Sequence, residues 1–452
     1  MLTRLSFDNY RAFEKLDLPL TKINLFLGPN NSGKSSILSS ISLLSQTINS
    51  DDPVIPLLLT GKFEDLGTYQ DTVHNNDPSL NITLGLELSA DKIKDKIKKI
   101  IGSSIFGISV TFHYRKQRHE TVVNSLRIYN RPNRLILRTH IAEKGSNQLI
   151  EKVGKRFGNI TLGSKSSGSI ELEHFFPTYN APLRQMVNIA DRPSYPSGDL
   201  ETVLWRLYRT FTEHLNSIEF IGPFRRGPER VYTYSGETPS SVGVHGEKSI
   251  EIIVADHFRR MSKKLNITDN ISKWLQKSQI ADALNVVPLT DRHFEIRLSH
   301  YNTSESENLA DVGYGCSQIL PILVSGFSIK PNSTLIIEQP EIHLHPKAQA
   351  EVGTFLYEVS KRNVQLLIET HSEHLLLRLQ SHVASGDLKP NDISVFYVYS
   401  DPITKEKKCK SIPLGRNGFY IQDWPQGFFP ERLDEAKNIA KFAARYDLRN
   451  SD

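Results

Sequence analysis

Three short apolar runs along this chain each lead into a polar turn and then into a helical pattern. They read INLFLGPNNSGKSSIL from residue 23, TLIIEQPEIHLHP from residue 334, and VQLLIETHSEHLLLRL from residue 364. Apolar runs that lack regular polar alternation are typical of strands buried on both faces, as in a parallel α/β sheet. Because ligands of such sheets bind beyond the carboxyl ends of the strands, the three turns are predicted to meet at one site. A fourth run, ISVFYVYS from residue 393, predicts another strand of the same sheet.

The first run is far from the other two in sequence, and the residues between them follow a different pattern. From about residue 80 to 200 the chain alternates in strand fashion, as in LNITLGLELS and FGISVTFHYR. LETVLWRLYRTFTEHL and SIEIIVADHFRRMSKKL show the period of amphipathic helices. We therefore predict an α/β protein with a mixed or parallel sheet that is split in sequence around an inserted antiparallel β and helical lobe.

The turn after the first run carries a phosphate-binding motif. GPNNSGKS, Gly28 to Ser35, fits G-x-x-x-x-G-K-[ST], the P-loop, and it stands between a strand and a helix as the motif requires. Its glycines let backbone amides at the helix N-terminus face phosphates, its lysine reaches the β- and γ-phosphates, and its serine ligates Mg²⁺. ATP and Mg²⁺ are the predicted cofactors. The predicted nucleotide-binding residues are Asn30, Asn31, Ser32, Gly33, Lys34, Ser35 and Ser36.

The second run ends in an acid followed by an amide. Glu338 is placed to contact Mg²⁺ with Ser35, whereas Gln339 stands where a nucleotide hydrolase is expected to have a catalytic glutamate. A carboxylate can take a proton from water, but an amide can only hydrogen-bond it. Glu341 would partly substitute if the turn brings it close. Weak or absent ATP hydrolysis is therefore expected.

Two further polar elements are predicted to reach the same site. In LADVGYGCSQILPIL, Ser317 and Gln318 precede an apolar helix whose N-terminus would attract a phosphate, although an ordinary N-cap and a G-x-S hydrolase elbow are alternatives. His371 follows the third run, where a neutral imidazole can hydrogen-bond a γ-phosphate. A zinc cluster of the nearby histidines is the alternative, but their spacing lacks the H-E-x-x-H pattern.

Composition and charge limit the compartment and the partners that we expect for this protein. The 452-residue chain has a net charge of +5 and two cysteines, which exclude a disulfide framework and favour a reducing compartment. It shows no signal-peptide pattern and no membrane-length apolar run, so we expect a cytoplasmic protein with no membrane partner. The basic stretches PFRRGPER, with Arg225, Arg226 and Arg230, and DKIKDKIKKI are candidate DNA contacts, while charge runs are also typical of solvated faces.

The order of these motifs resembles the heads of ABC-type ATPases, in particular soluble SMC, RecF and OLD-like members. The resemblance implies that two heads sandwich two ATP molecules, so that the chain forms a homodimer or a higher homo-oligomer through its heads. It makes His371 the switch histidine, and it gives Gln70, in FEDLGTYQD, the place of a metal-binding glutamine. The residues that would contact the ATP of the partner copy are Gly313, Gly315, Ser317 and Gln318.

A narrower resemblance covers most of the chain. IGPFRRGPERVYTYSG, DVGYGCSQILPIL, IIEQPEIHLHPKAQ, IETHSEHLLLRL and DWPQGFFPE are similar to stretches in bacterial antiviral defence ATPases that end in a W-P-x-G-F-F segment. The Septu system is the nearest match and PARIS the alternative. The aromatic residues of this ending would either cap the core or dock another subunit. The predicted segments are residues 1–80 and 301–400 for the ATPase head, 81–300 for the inserted lobe, and 401–452 for the ending.

These observations lead to two hypotheses about function. The first is a regulatory ATP-binding subunit of an antiviral complex that controls a separate nuclease, of HNH type if the complex is Septu. The second is an active ATP-hydrolysing DNA repair or maintenance ATPase of RecF or SMC type. Phosphate release at ordinary rates, stimulated by DNA, would favour the second.

Overall fold

The computed structural model describes residues 1–89, 102–130, 134–141, 148–153, 169–170, 172–177, 197–259, 265–300 and 305–424. The stretch DKIKDKIKKI and the residues after Trp424 lie outside these ranges. The strands are β1 (Leu2–Tyr10), β2 (Phe13–Pro19), β3 (Ile23–Leu27), β4 (Ile82–Ser89), β5 (Ile105–Arg115), β6 (Glu120–Asn130), β7 (Arg134–Ile141), β8 (Gln148–Val153), β9 (Ser169–Ile170), β10 (Leu172–Glu173), β11 (Phe176–Pro177), β12 (Ile218–Ile221), β13 (Tyr232–Thr233), β14 (Ala283–Pro288), β15 (His293–Ser299), β16 (Ser306–Asn308), β17 (Thr334–Glu338), β18 (Gln365–Glu369), β19 (Ile393–Ser400) and β20 (Lys407–Ser411). The α-helices are α1 (Lys34–Ile48), α2 (Tyr69–Thr72), α3 (Ser197–Leu215), α4 (Ser249–Phe258), α5 (Ile267–Ser278), α6 (Tyr314–Ser328), α7 (Pro346–Lys361) and α8 (Glu373–Ala384).

A six-stranded sheet brings the three apolar runs together. Its order is β12-β17-β18-β3-β19-β20, and every neighbouring pair is parallel except the antiparallel edge pair of β19 and β20. The strands of the three runs, β3, β17 and β18, are buried at all five of their residues. The predicted α/β class, with a sheet split in sequence, is confirmed.

The two faces of this sheet pack against two different hydrophobic cores. Phe26, Ile336 and Leu367 belong to the core that also contains helix α1 and the antiparallel lobe. Their chain neighbours, among them Leu25, belong to the core built with helices α4 to α8. Because successive side chains of a strand point to opposite faces, strands covered on both sides need apolar residues at every position. This requirement explains the absence of polar alternation in the three runs.

An eight-stranded antiparallel sheet forms the lobe beside the six-stranded sheet. Its order is β2-β1-β4-β5-β6-β7-β8-β9, so β1 and β2 share one sheet with strands from the predicted insertion. Conversely, β12, which lies inside the predicted insertion, pairs with β17 in the six-stranded sheet. The division at residues 80, 300 and 400 remains a prediction.

Trp424 is the last described residue, and it packs on the edge of the six-stranded sheet. It is buried, and its ring meets Tyr397 of β19 and Tyr420 edge-on, at centroid distances of 5.1 and 5.2 Å. Edge-to-face aromatic pairs stabilise a core beyond the area that they bury. For this one residue of the ending, the arrangement fits a cap on the core; Phe428 and Phe429 lie outside the described ranges.

Candidate functional site

The P-loop connects β3 to α1, and two of its positions accept only glycine. Gly28 has φ +144°, and an added Cβ would lie 1.9 Å from the backbone oxygen of Val398. Gly33 has φ +106°, and its Cβ would lie 2.8 Å from the ring of Phe13. Positive φ and close backbone approach are the conditions that glycine alone meets without strain. The tertiary structure therefore supplies a reason for both glycines of the motif.

Lys34 is the first residue of α1 and is almost fully buried, with 3% of its surface exposed. Its ammonium donates hydrogen bonds to the backbone oxygens of Gly28 (3.0 Å) and Pro29 (2.9 Å) and lies 3.7 Å from a carboxylate oxygen of Glu369. Burial lowers the pKa of Lys34, and the Glu369 carboxylate opposes that shift. The Lys34 ammonium therefore contacts its own loop and Glu369. A nucleotide phosphate would replace these contacts or share the ammonium with them.

The remaining predicted P-loop residues differ in accessibility. Asn30, Asn31 and Ser35 are exposed, whereas Ser36 is buried. Ser32 is also buried, and its hydroxyl makes no hydrogen bond. A buried polar group without a partner is uncommon in native structures. The Ser32 hydroxyl therefore fits a loop whose phosphate ligand would complete its hydrogen bonding.

Two carboxylates leave adjacent strand ends beside the P-loop. Glu338 ends β17 and Glu369 ends β18, and the two residues are paired in the parallel register. Burial raises the pKa of Glu338 to about 8; Glu369 and Glu64 add to the shift, while Arg11 and Arg225 oppose it. The shift reflects burial that the two arginines do not offset.

Sequence reasoning missed Glu369 and Glu64. The signal for Glu369 was present, since it ends the third apolar run immediately before the threonine and histidine of ETHSEH. Burial raises the pKa of Glu64 to about 7, and the charge of Arg11 opposes this shift. No sequence motif predicted that Glu64 would lie near the site.

Gln70, the predicted metal ligand, is exposed in the four-residue helix α2, and no hydrogen bond of the described residues joins it to Ser35 or Glu338. Its metal-binding role stays a prediction.

The turn after β17 separates the roles of Gln339 and Glu341. Gln339 has a left-handed backbone, φ +44°, and its N–H donates to the backbone oxygen of Glu369 at 2.8 Å. Both carboxylate oxygens of Glu341 are occupied, by the Thr370 hydroxyl (2.8 Å) and by the backbone N–H of His371 (2.6 Å). Held in this way, Glu341 fixes the turn that carries His371. Each carboxylate oxygen keeps a further lone pair, so the partial substitution of Glu341 as a general base stays a prediction.

His371 is half-buried beside the P-loop. Its Nε2 atom is buried and makes no hydrogen bond. Burial lowers the pKa of His371, and the nearby charge of Lys34 lowers it further, so the imidazole is neutral at physiological pH. An unsatisfied ring nitrogen of a neutral histidine fits a hydrogen bond to a phosphate. The structure does not support the alternative of a zinc cluster. Across the described parts of the chain, no group of three or more His, Cys, Asp or Glu side chains is arranged to hold a metal.

The glycine-serine segment opens helix α6 next to the turn after β17. A Cβ on Gly315 would lie 2.5 Å from the backbone oxygen of His343, whereas Gly313 is exposed and has open space around it. Ser317 and Gln318 are buried; the Ser317 hydroxyl donates to the backbone oxygen of Tyr314 at 2.9 Å. Of the four residues predicted to contact the ATP of the partner copy, Gly313 is therefore the most accessible.

Arg225 lies inside the molecule and joins α6 to the end of β17. Its guanidinium donates to the backbone oxygens of Glu338 (2.6 Å), Gln339 (3.1 Å) and Gln318 (3.3 Å). Burial lowers its pKa to about 10. The hypothesis that Arg225 contacts DNA on the surface is wrong for this structure. The exposed Arg226 and Arg230 form ion pairs with Glu229 and Asp311.

We expect Arg225→Ala to lower the free energy of unfolding by about 3 kcal/mol, because it removes charge-assisted bonds to three buried carbonyls. Urea denaturation measures the change. The matched control is Arg226→Ala, the exposed neighbour, for which a change within about 0.5 kcal/mol is expected. Equal, small effects of both substitutions would contradict the structural role of Arg225.

The fold and the site together define a P-loop nucleotide-binding protein, since a glycine-constrained loop links a buried parallel strand to a helix and its lysine faces acidic strand ends. The chain belongs to the family described as AAA ATPase domain, whose model matches residues 1–167 and 237–376. No curated protein matches the chain. Among the described residues, no helix is both long enough and apolar enough to span a bilayer.

Solved structures similar to this chain include three heads of SMC proteins. An SMC head bound to the C-terminal winged-helix domain of ScpA has 11% identity and a TM-score of 0.47, covering 91% of this chain and 98% of that one. The SMC head from Thermotoga maritima has 11% identity and a TM-score of 0.40, covering 92% and 99%. An SMC head with an extended coiled coil, bound to the C-terminal domain of ScpA derived from Pyrococcus furiosus, has 12% identity and a TM-score of 0.44, covering 98% and 99%.

Proposed function

We propose that this chain is an ABC-type ATP-binding head that closes on a second copy around nucleotide, hydrolyses ATP slowly, and thereby controls a separate nuclease. The observation that carries the slow hydrolysis is Gln339. In this proposal an amide stands where the catalytic carboxylate would be, and the carboxylate oxygens of Glu341 already accept hydrogen bonds from the Thr370 hydroxyl and the His371 backbone N–H. The site therefore binds nucleotide with a full P-loop while lacking an evident general base.

The residues of the site have distinct tasks in this proposal. Bound MgATP supplies the phosphoanhydride bond and the charge that the site recognises. Lys34 neutralises the phosphates, Ser35 and Glu338 hold the cation, and the neutral His371 hydrogen-bonds a terminal phosphate oxygen through its unsatisfied Nε2. Gln339 can orient a water molecule but cannot accept its proton. ATP would then persist in the site and hold the closed state.

The surface beside helix α6 supports association with a second copy. Tyr314, at the start of α6, is 68% exposed, and Phe224, next to Arg225, is 82% exposed. Large exposed aromatic side chains are enriched where proteins meet. Both flank the contact between Arg225 and Gln318, close to the exposed Gly313. In this proposal these residues meet the nucleotide and the P-loop side of a partner head.

The finer identity that we propose is an ATPase subunit similar to PtuA of the Septu antiviral system, acting with an HNH nuclease in the cytoplasm. The five sequence stretches that resemble antiviral defence ATPases support it. Because a ligand shifts an equilibrium only by its differential affinity for the two states, ATP would favour the closed head pair and a fall in ATP would release it. The activity of the nuclease would then depend on whether the head pair is closed or released.

Mass photometry of the purified chain tests the nucleotide-dependent association. MgATP should raise the population of dimers or higher oligomers and keep it raised over time, EDTA should reverse the change, and Lys34→Ala should not respond. Nucleotide binding without any change in mass would overturn the head-pair proposal. DNA cleavage by a co-purified HNH partner that is indifferent to ATP would overturn the controlling role.

The alternative function, an actively hydrolysing ATPase of RecF or SMC type, has one observation in its favour. A second buried carboxylate, Glu369, accepts a hydrogen bond from the Ser35 hydroxyl within the site, and a carboxylate can take a proton from water. Steady phosphate release that DNA stimulates would support this alternative against the slow switch.

A further inference from the structure

We propose that Glu369 is a second acidic ligand of the nucleotide-bound divalent cation, beside Glu338. This inference rests on the proposed ATP site and assigns a role to a residue outside the P-loop, the glycine-serine segment and the acid of the second run. Glu338 and Glu369 are register partners at the ends of two adjacent parallel strands. Their side chains therefore leave the sheet side by side, at the edge where the P-loop begins.

The contacts of Glu369 place its carboxylate against the P-loop residues that handle phosphate and metal. One carboxylate oxygen accepts a hydrogen bond from the Ser35 hydroxyl at 2.8 Å, and the other lies 3.7 Å from the Lys34 ammonium. The P-loop serine is the residue whose hydroxyl ligates Mg²⁺ in sites of this kind. A cation that binds to Ser35 would therefore lie within reach of Glu369.

The surroundings of Glu338 supply a second, independent observation. The residue is only 8% exposed, and within the described ranges its carboxylate receives no hydrogen bond and forms no ion pair. Burying a carboxylate in its charged form without a partner is costly, so a cation would stabilise the ionised form of Glu338. Of the nearby cationic groups, Arg225 donates to backbone oxygens and Lys34 donates to Gly28 and Pro29. Arg11 acts on Glu338 through its charge, without an ion pair or hydrogen bond among the described residues.

A hard divalent cation fits this set of donors. Mg²⁺ is commonly held by one or two carboxylates together with substrate phosphates and water. The two carboxylates are also held in fixed relation, because the backbone N–H of Gln339 donates to the backbone oxygen of Glu369 at 2.8 Å. The competing explanation is that Glu369 only pairs with Lys34 while phosphate is absent.

Mn²⁺ binding measured by electron paramagnetic resonance, with saturating non-hydrolysable ATP analogue, separates the two explanations. We expect Glu369→Gln to weaken Mn²⁺ binding by about tenfold or more, comparable to Glu338→Gln. The matched control is Glu358→Gln, the same chemical change at an exposed position of α7, which should leave Mn²⁺ affinity unchanged. In EDTA, Glu369→Gln should bind the analogue at least as tightly as the native chain, because a negative charge near the phosphates is removed.

Each outcome decides a different point. If the native chain binds the analogue and Mn²⁺ but Glu369→Gln matches Glu358→Gln, the ligand role of Glu369 is overturned and the ATP site stands. If the native chain binds no nucleotide, the proposed function itself fails. Thermal unfolding checks that the variants are folded. Should Glu369→Gln not fold, Glu369→Asp replaces it: the shorter carboxylate should weaken Mn²⁺ binding, and an unchanged affinity would overturn the proposal.

Discussion

Gln339→Glu should raise the single-turnover rate of ATP hydrolysis by about 10²- to 10⁴-fold, the usual contribution of a positioned general base. The substitution changes only an amide into a carboxylate, so the turn after β17 and its bond to the Glu369 backbone are retained. The new carboxylate would stand next to Glu338 and could accept the proton of an attacking water. Quench-flow measurement of product with excess enzyme over ATP gives the rate.

Two companion variants show whether the gain comes from this position. Lys34→Ala combined with Gln339→Glu should return the rate to background, which excludes a contaminating hydrolase. Gln339→Ala should hydrolyse ATP no faster than the native chain, since it adds no base. If the native chain already turns over quickly and Gln339→Glu changes little, another carboxylate serves as base and the switch hypothesis loses its main support.

Lys34→Ala should weaken MgATP binding by at least about 10²-fold. Hydrogen bonds to charged groups contribute about 1.5 to 3 kcal/mol each, and a buried ammonium can make more than one to phosphate oxygens. The loss is aggravated by the surroundings, because Glu369 and Glu338 would then face the phosphates without a neutralising lysine. Titration with a fluorescent ATP analogue measures the affinity directly.

The comparison for this variant is Lys273→Ala, which removes the same side chain from an exposed position of helix α5. Its affinity for the analogue should equal that of the native chain. Unfolding curves establish that Lys34→Ala is folded. Equal affinities of the two lysine variants would mean that the nucleotide does not use the P-loop.

Much of the fold follows from local patterns in the sequence. The apolar runs at residues 23, 334 and 364 form the buried strands β3, β17 and β18, because strands covered on both faces tolerate few polar residues. The P-loop was also readable, because its glycines, lysine and serine stand at a fixed spacing within one short segment. The contacts of Val398 and Phe13 with its two glycines come from other parts of the chain. Motif spacing and the helix that follows sufficed to predict a nucleotide site at one edge of the sheet.

The assignment of roles within that site depended on the tertiary structure. Ser35 and Glu369 are 334 positions apart, and their hydrogen bond exists only because β3 and β18 are neighbours. Glu341 accepts hydrogen bonds from Thr370 and His371, which belong to a different strand-to-helix turn, and no pattern around Glu341 predicted these partners. Arg225 looked like a surface charge, yet it is buried against three carbonyls.

The sequence alone therefore determined which strands are buried and where phosphate would bind, because those properties are encoded within single segments. Only the tertiary structure decided which carboxylates lie beside the P-loop and which accept hydrogen bonds from the turn that carries His371. Hydrogen bonding and desolvation of a side chain depend on the elements packed around it, and those elements come from distant parts of the chain.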